Sequence, residues 1–286
     1  MILVTGATGT VGGRVLRRLR EEGRQVRAVT RDPARAAFPG DVSVAACDLD
    51  VPSGLDEALD GVDRVFLMSL GHHKATHDTR VVAAARKAGV VRIVQLSSLG
   101  VEEVADRQDN PLARWHREAE EALCASGMEW TVLRPGGFMS NALSWADSVR
   151  AEGVARGPVA DMPEAVVHPE DIAEVAVRAL TDDGLVGETV SLSGPESLTP
   201  RAQAAVLAGV LGRDIRFESV PLAVHRQKML AKYSAETVDG VLAALADVLS
   251  GGDDLRAHVL PGVERVLGRP ARTFTRWVCE NLHEFR

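Results

Sequence analysis

The stretch ARWHREAEEAL, residues 113–123, sets His116 and Glu120 four positions apart in a segment whose Ala, Glu, Arg and Leu content favours helix. Four residues is about one helical turn, so the two side chains share a face. An imidazole beside a carboxylate favours its charged form, which titrates near neutral pH and can donate a proton or hydrogen bond. The bland alternative is a helix-surface pair worth about 0.2–0.5 kcal/mol, or a polar wall with no proton role. Two other stretches carry chemistry by their spacing. ILVTGATGTVGGRVLRRL sets Gly6, Gly9 and Gly12 three apart, and GHHKATHD holds His72, His73 and His77. His73 and His77 share a face if their helix starts early enough to include both. The stretch has no carboxylate-rich or cysteine partner at fixed spacing, so no metal is expected there.

The elements that must position these residues follow from periodicity. Six short runs rich in Val, Ile and Leu read as strands: ILVT, QVRAVT, VSVAAC, VDRVFLMS, VVRIVQLS and EWTVLR. Helical segments near 10–22, 76–88 and 113–126 lie between them, stopped by Gly23, Gly89 and Gly127. Beyond Pro135 the regularity breaks, a helix begins near Pro169 with His168 positioning the turn before it, and a strand ETVSLS follows. From Leu198 the chain reads as mostly helical, with one strand-like DIRFESV. Repeated βαβ units predict an α/β fold, a Rossmann-type doubly wound parallel sheet with a smaller, mostly helical C-terminal lobe. Residues 1–135 and 164–194 are expected to form the sheet domain, and 136–163 and 195–286 the second, substrate-binding lobe.

The glycine triplet sits where a strand turns into a helix. Gly6 permits the tight turn, Gly9 lets backbone approach a pyrophosphate, and Gly12 lets the helix lie close on the strand, with the helix N-terminus facing the anion. Gly6, Thr8, Gly9, Thr10, Val11 and Gly12 are thus candidate dinucleotide-binding positions. Arg31 closes the second strand in AVTRDP, where an acidic residue would bond a ribose 2′-hydroxyl and a guanidinium would grip a 2′-phosphate. NADP(H) is therefore favoured over NAD(H), and Asp32 keeps the preference moderate.

Composition bounds the rest. The 286 residues are 45% hydrophobic and only 4% aromatic, enough for one large core or one core with a companion lobe. A net charge of −7 without a basic run makes nucleic acid a poor partner. No apolar run is long enough to cross a membrane, and the first strand begins at the initiator Met, so a cytoplasmic protein is expected. Cys47, Cys124 and Cys279 are far apart and odd in number, which reads as reduced thiols.

The spacing T-G-x-x-G-x-x-G resembles the short-chain dehydrogenase/reductase superfamily, and more narrowly its atypical NmrA-like group. VTGATGTVG, VRAVTRDP, CDLD, VVRIVQLSSLG, WTVLRPGGFMSN, HPEDIAEVAVRAL, LSGPESLT and RTFTRWVCENL fall in that group's order over nearly the whole chain. The resemblance implies that Asp48 and Leu49 flank the adenine and that Met68 and Ser69 line the ribose and nicotinamide side. It also implies that Pro135 and Phe138 lie where the family closes over the nicotinamide. Ser98 takes the family's serine position, holding a substrate carbonyl. The family's Tyr-x-x-x-Lys pair is matched by His116 and Glu120, and the chain's one tyrosine, Tyr233, is far away. Ser98, His116, Phe138, Met139, Asn141 and Trp145 are the candidate substrate residues. Losing a strong acid narrows the substrate to small aromatic carbonyls whose developing anion is stabilised internally. The expected activity is NADPH-dependent reduction of a quinone or hydroxyaryl ketone, with a proton from His116, water or the substrate. The alternative is a non-catalytic redox sensor that binds NAD(P) and regulates a protein partner.

Overall fold

The computed structural model describes residues 1–51, 53–103, 110–249 and 255–286. The described strands are β1 (Ile2–Val4), β2 (Val26–Thr30), β3 (Ser43–Ala46), β4 (Arg64–Leu67), β5 (Arg92–Leu96), β6 (Glu129–Pro135), β7 (Val154–Gly157), β8 (Glu188–Leu192) and β9 (Arg216–Ser219). Seven of them form one sheet in the order β3-β2-β1-β4-β5-β6-β8. The pairings from β3 across to β6 are parallel. The order reverses between β1 and β4, which is the switch point of a doubly wound sheet. This is the Rossmann-type architecture expected from the alternating pattern.

The chain divides into two compact units, Met1–Arg134 with Ile172–Val190, and Pro135–Asp171 with Ser191–Arg286. In the first unit the sheet carries α1 (Gly12–Glu21), α2 (Leu55–Leu59), α3 (Lys74–Ala88), α4 (Gly100–Glu103) and α5 (Pro111–Cys124). Central strands covered on both faces need unbroken apolar runs, and β1 and β5 are buried along their whole length. Helix α1 turns Val15, Leu16 and Leu19 inward, positions whose spacing puts them on one helical face. Helix α5 starts sharply because the Asn110 side chain accepts the Ala113 N–H at 3.2 Å and Pro111 occupies the first helical position.

The second unit holds α6 (Ala146–Glu152), α7 (Pro169–Thr181) in part, α8 (Pro200–Leu211), α9 (Leu222–Leu230), α10 (Ala235–Leu249), α11 (Gly262–Leu267) and α12 (Phe274–Glu280). Its core gathers Trp145, Phe217, Phe274, Trp277 and Phe285, so the few aromatics are concentrated here. Strand β7 pairs in parallel with β9, the strand-like DIRFESV; β7 itself is too short and polar to have been read from sequence. His168 takes the expected place before α7, where its Nδ1 accepts the Glu170 N–H at 3.0 Å.

Candidate active site

The carboxyl ends of β1, β2 and β4 open on a cavity of about 710 Å³ at the switch point. Its floor is the glycine turn. Gly6 has φ +61°, a left-handed conformation that a side chain resists. A Cβ on Gly12 would lie 2.3 Å from the Gly6 carbonyl oxygen, so only glycine lets α1 start this close to β1. Gly6, Thr8 and Gly9 line the cavity, as do Arg31, Asp48, Leu49, Met68 and Ser69. Three of the turn residues do not. Val11 is wholly buried and supports the turn from below, Gly12 is buried at the start of α1, and Thr10 is exposed with its carbonyl accepting from Arg14.

Residues not singled out in the sequence complete the wall. Arg35 stands with Arg31, and Cys47 contributes a thiol whose pKa is pushed up by burial, keeping it protonated. Asp32 turns its carboxylate into its own loop, accepting the Ala34 and Arg35 N–H groups at 3.2 and 3.3 Å. Its charge is thereby engaged locally, and the two guanidiniums dominate this end. The cavity therefore fits a dinucleotide: backbone that no Cβ obstructs for the pyrophosphate, and paired cations at the ribose end.

At the other rim, GHHKATHD forms a 3-10 turn, Gly71–His73, running into α3, so His73 and His77 do share a face. Their rings lie nearly parallel with centroids 5.3 Å apart. His77 Nε2 is 2.8 Å from an Asp50 oxygen, and this bond holds the Asp50 carboxyl below the usual carboxylate range.

Beneath β4, β5 and α5 runs a polar network that the sequence had not disclosed. Lys74, almost completely buried, donates to Asp78 at 2.8 Å and to the Leu96 carbonyl at 3.0 Å. Asp78 also accepts from Ser69 and from Gln95. Nearby, Arg134 grips Glu120 with two bonds, 3.0 and 2.6 Å, and Ser97 donates its hydroxyl to the same carboxylate. Ser97 Oγ also lies 3.3 Å from His116 Nδ1. Since the one Ser97 proton goes to Glu120, His116 must donate from Nδ1, which leaves Nε2 with a bare lone pair.

This corrects the expectation that Glu120 favours a charged His116. Glu120 is neutralised by Arg134, while burial and then the positive charge of Lys74 push the His116 pKa well below its ordinary value. His116 is a neutral acceptor near pH 7. Ser98 accepts the Gly100 N–H at 3.3 Å and keeps its own proton to donate; it is Ser97, not Ser98, that contacts His116.

The remaining candidates belong to the second unit. Met139 and Trp145 are buried in its core, where Trp145 meets Phe217 edge-on. Pro135 is buried at the end of β6, Phe138 forms a parallel bridge with Val167, and Asn141 is exposed. Tyr233 is exposed after α9.

A family model described as NAD(P)H-binding matches residues 6–183. A (4-alkanoyl-5-oxo-2,5-dihydrofuran-3-yl)methyl phosphate reductase of Streptomyces griseus is 43% identical over 100% of this chain and 99% of its own. An NAD(P)H azoreductase of Xenophilus azovorans is 35% identical over 96% and 95% of the two chains. A crystal structure of NADPH-dependent quinone oxidoreductase from Escherichia coli, complexed with NADPH, superposes with a TM-score of 0.80 at 28% identity, covering 99% of this chain and 100% of that one. With the family model over more than half of its length and these relatives over nearly all of it, the chain belongs to the NAD(P)H-binding family, among the atypical NmrA-like short-chain dehydrogenases/reductases, and is an NAD(P)H-dependent oxidoreductase.

Proposed function

We propose that the protein is an NADPH-dependent reductase of small conjugated acceptors, a quinone or a hydroxyaryl ketone. The observation that carries this reading is His116: neutral, oriented by Ser97, and offering an acceptor lone pair where the family's usual proton donor would stand. When bound, the dihydronicotinamide supplies a hydride. The glycine turn would hold the pyrophosphate with backbone N–H groups, and Arg31 with Arg35 would hold the 2′-phosphate. Ser98 donates its hydroxyl to the substrate oxygen on which charge develops, and in a hydroxyaryl ketone His116 Nε2 accepts the neighbouring hydroxyl, fixing the substrate's orientation.

Neither residue is a strong acid at neutral pH, so the developing anion must be held largely by the substrate's own conjugation, and water completes protonation. Simple ketones lack that stabilisation. The names of the relatives support the same chemistry, because an azo group, a quinone and an acyl-substituted unsaturated lactone all accept a hydride into a conjugated system. The 43% identity to the Streptomyces enzyme favours a second reading, reduction of an acyl-dihydrofuranone phosphate.

The test is NADPH oxidation against a panel of quinones, hydroxyaryl ketones and an acyl-dihydrofuranone phosphate. Turnover of the aromatic members supports the first reading, and turnover of the lactone alone supports the second. Tight dinucleotide binding with no turnover of any of them contradicts both. Replacing Arg31 and Arg35 with Ala should cut the preference for NADPH over NADH by at least about tenfold, the loss of one charge-assisted hydrogen bond of roughly 1.5–3 kcal/mol. An unchanged preference removes the two arginines from 2′-phosphate recognition.

A further inference from the structure

The three side chains at the α3 rim of the cavity do nothing in the reductase chemistry above, and their arrangement is specific. Asp50 follows β3, and His73 and His77 stand one turn apart at the start of α3, so two separate elements meet here. Both imidazoles address the same oxygen: His77 Nε2 lies 2.8 Å and His73 Nδ1 3.9 Å from Asp50 Oδ1. One ligand atom from each of the three residues falls within 4.8 Å of the others. Two donors at ordinary zinc distances in a tetrahedron sit about 3.4 Å apart, so the observed separations bracket the value a bound ion requires. The fit needs the 2.8 Å contact to open and the 3.9 Å contact to close, each by roughly half an ångström, at an exposed carboxylate and an exposed ring.

We propose that Asp50, His73 and His77 bind one borderline divalent transition-metal ion of the Zn²⁺ type at the rim of the nucleotide cavity. Two imidazoles with one carboxylate match such an ion, whereas the hard Ca²⁺ and Mg²⁺ prefer all-oxygen sets. The three protein ligands leave at least one coordination position for water. The ion would tie the segment after β3, which carries the adenine-side Asp48 and Leu49, to the N-terminus of α3. Nothing in this proposal depends on the identity of the reducible substrate.

The experiment is titration of the full-length apoprotein with Co²⁺, followed by its visible absorption, with competition by Zn²⁺. One equivalent should give a four- or five-coordinate spectrum that Zn²⁺ abolishes and Mg²⁺ does not. His77→Ala and Asp50→Asn should each weaken binding at least about tenfold, the low end of what losing even an outer-shell partner costs a metal site. His283→Gln, which changes an exposed histidine elsewhere, should leave it unchanged. Histidine ring signals give a second measurement that needs no variant: Co²⁺ should shift or broaden those of His73 and His77 in the wild-type protein and spare His283. Failure to take up stoichiometric Co²⁺, undiminished affinity in His77→Ala, or undisturbed His73 and His77 rings overturns the proposal.

Discussion

At the scale of single residues, a pair that looks local is governed by partners distant in sequence. His116 and Glu120 are visible as i, i+4 neighbours, but Glu120 answers to Arg134 on β6 and His116 to Ser97 after β5 and to Lys74 on α3. None of these has a fixed spacing from ARWHREAEEAL, so reading the pair alone gave the wrong sign for the imidazole. The sign has a consequence for stability. A histidine whose folded pKa is depressed is neutral in the native state while its unfolded counterpart takes up a proton below about pH 6.5, so stability falls as pH falls through that range. Both His116 and His168 are depressed by burial and act this way. His116→Phe should therefore flatten the loss of stability between about pH 6.5 and 5 in urea unfolding, and an identical pH dependence would show that His116 is not buried neutral. Lys74→Met should cost about 3–5 kcal/mol by leaving Asp78 buried without its cation. Adding Asp78→Leu should recover part of that loss, and a single variant within 1 kcal/mol of wild type, about the size of an exposed ion pair, would contradict the assignment.

At the scale of elements, what was legible is what is local. The glycine turn, the alternating strands and helices, the place of Arg31 after β2 and the helix start at Pro169 all depend on residues a few positions apart. Strand β7 did not announce itself, because four residues, VARG, carry too little periodicity, and its parallel pairing with β9 joins segments some sixty positions apart. Arg35 reached the nucleotide cavity through tertiary placement alone, whereas Cys47 and Asp50 flank Asp48 and Leu49 in CDLD and the two rim histidines follow the fourth strand at the carboxyl edge of the sheet. The element most open to test is the turn. Gly12→Ala should destabilise the first unit by about 1–3 kcal/mol, because its Cβ overlaps the Gly6 carbonyl, and should weaken dinucleotide binding at the same time. Unchanged melting together with unchanged NADPH affinity would mean that α1 does not sit this close to β1.

At the scale of the whole molecule, the chain belongs to a family of NAD(P)H-binding oxidoreductases, and the proposed site carries His116 and Glu120 where the resemblance expects a tyrosine and a lysine. The sheet, its switch point and the cavity at the carboxyl ends of β1, β2 and β4 are those of a dinucleotide-binding protein. Ligand that binds only the folded form adds stability, so NADPH at a hundred times its Kd should raise unfolding free energy by about 2.7 kcal/mol, and NADH at the same concentration by less. Equal stabilisation by the two would contradict the role given to the arginines. Among the described residues no helix is long and apolar enough to cross a membrane.

The central claim is that hydride transfer proceeds here without a strong protein acid, on acceptors that stabilise their own anion. The measurement that tests it most directly is the ratio of kcat/KM for a quinone or hydroxyaryl ketone to that for an unconjugated aliphatic ketone of similar size, with NADPH saturating. The ratio should exceed about a hundred, the low end of what a positioned general acid contributes where one exists. Comparable turnover of the aliphatic ketone would mean that the site supplies a proton donor after all, and would contradict the account.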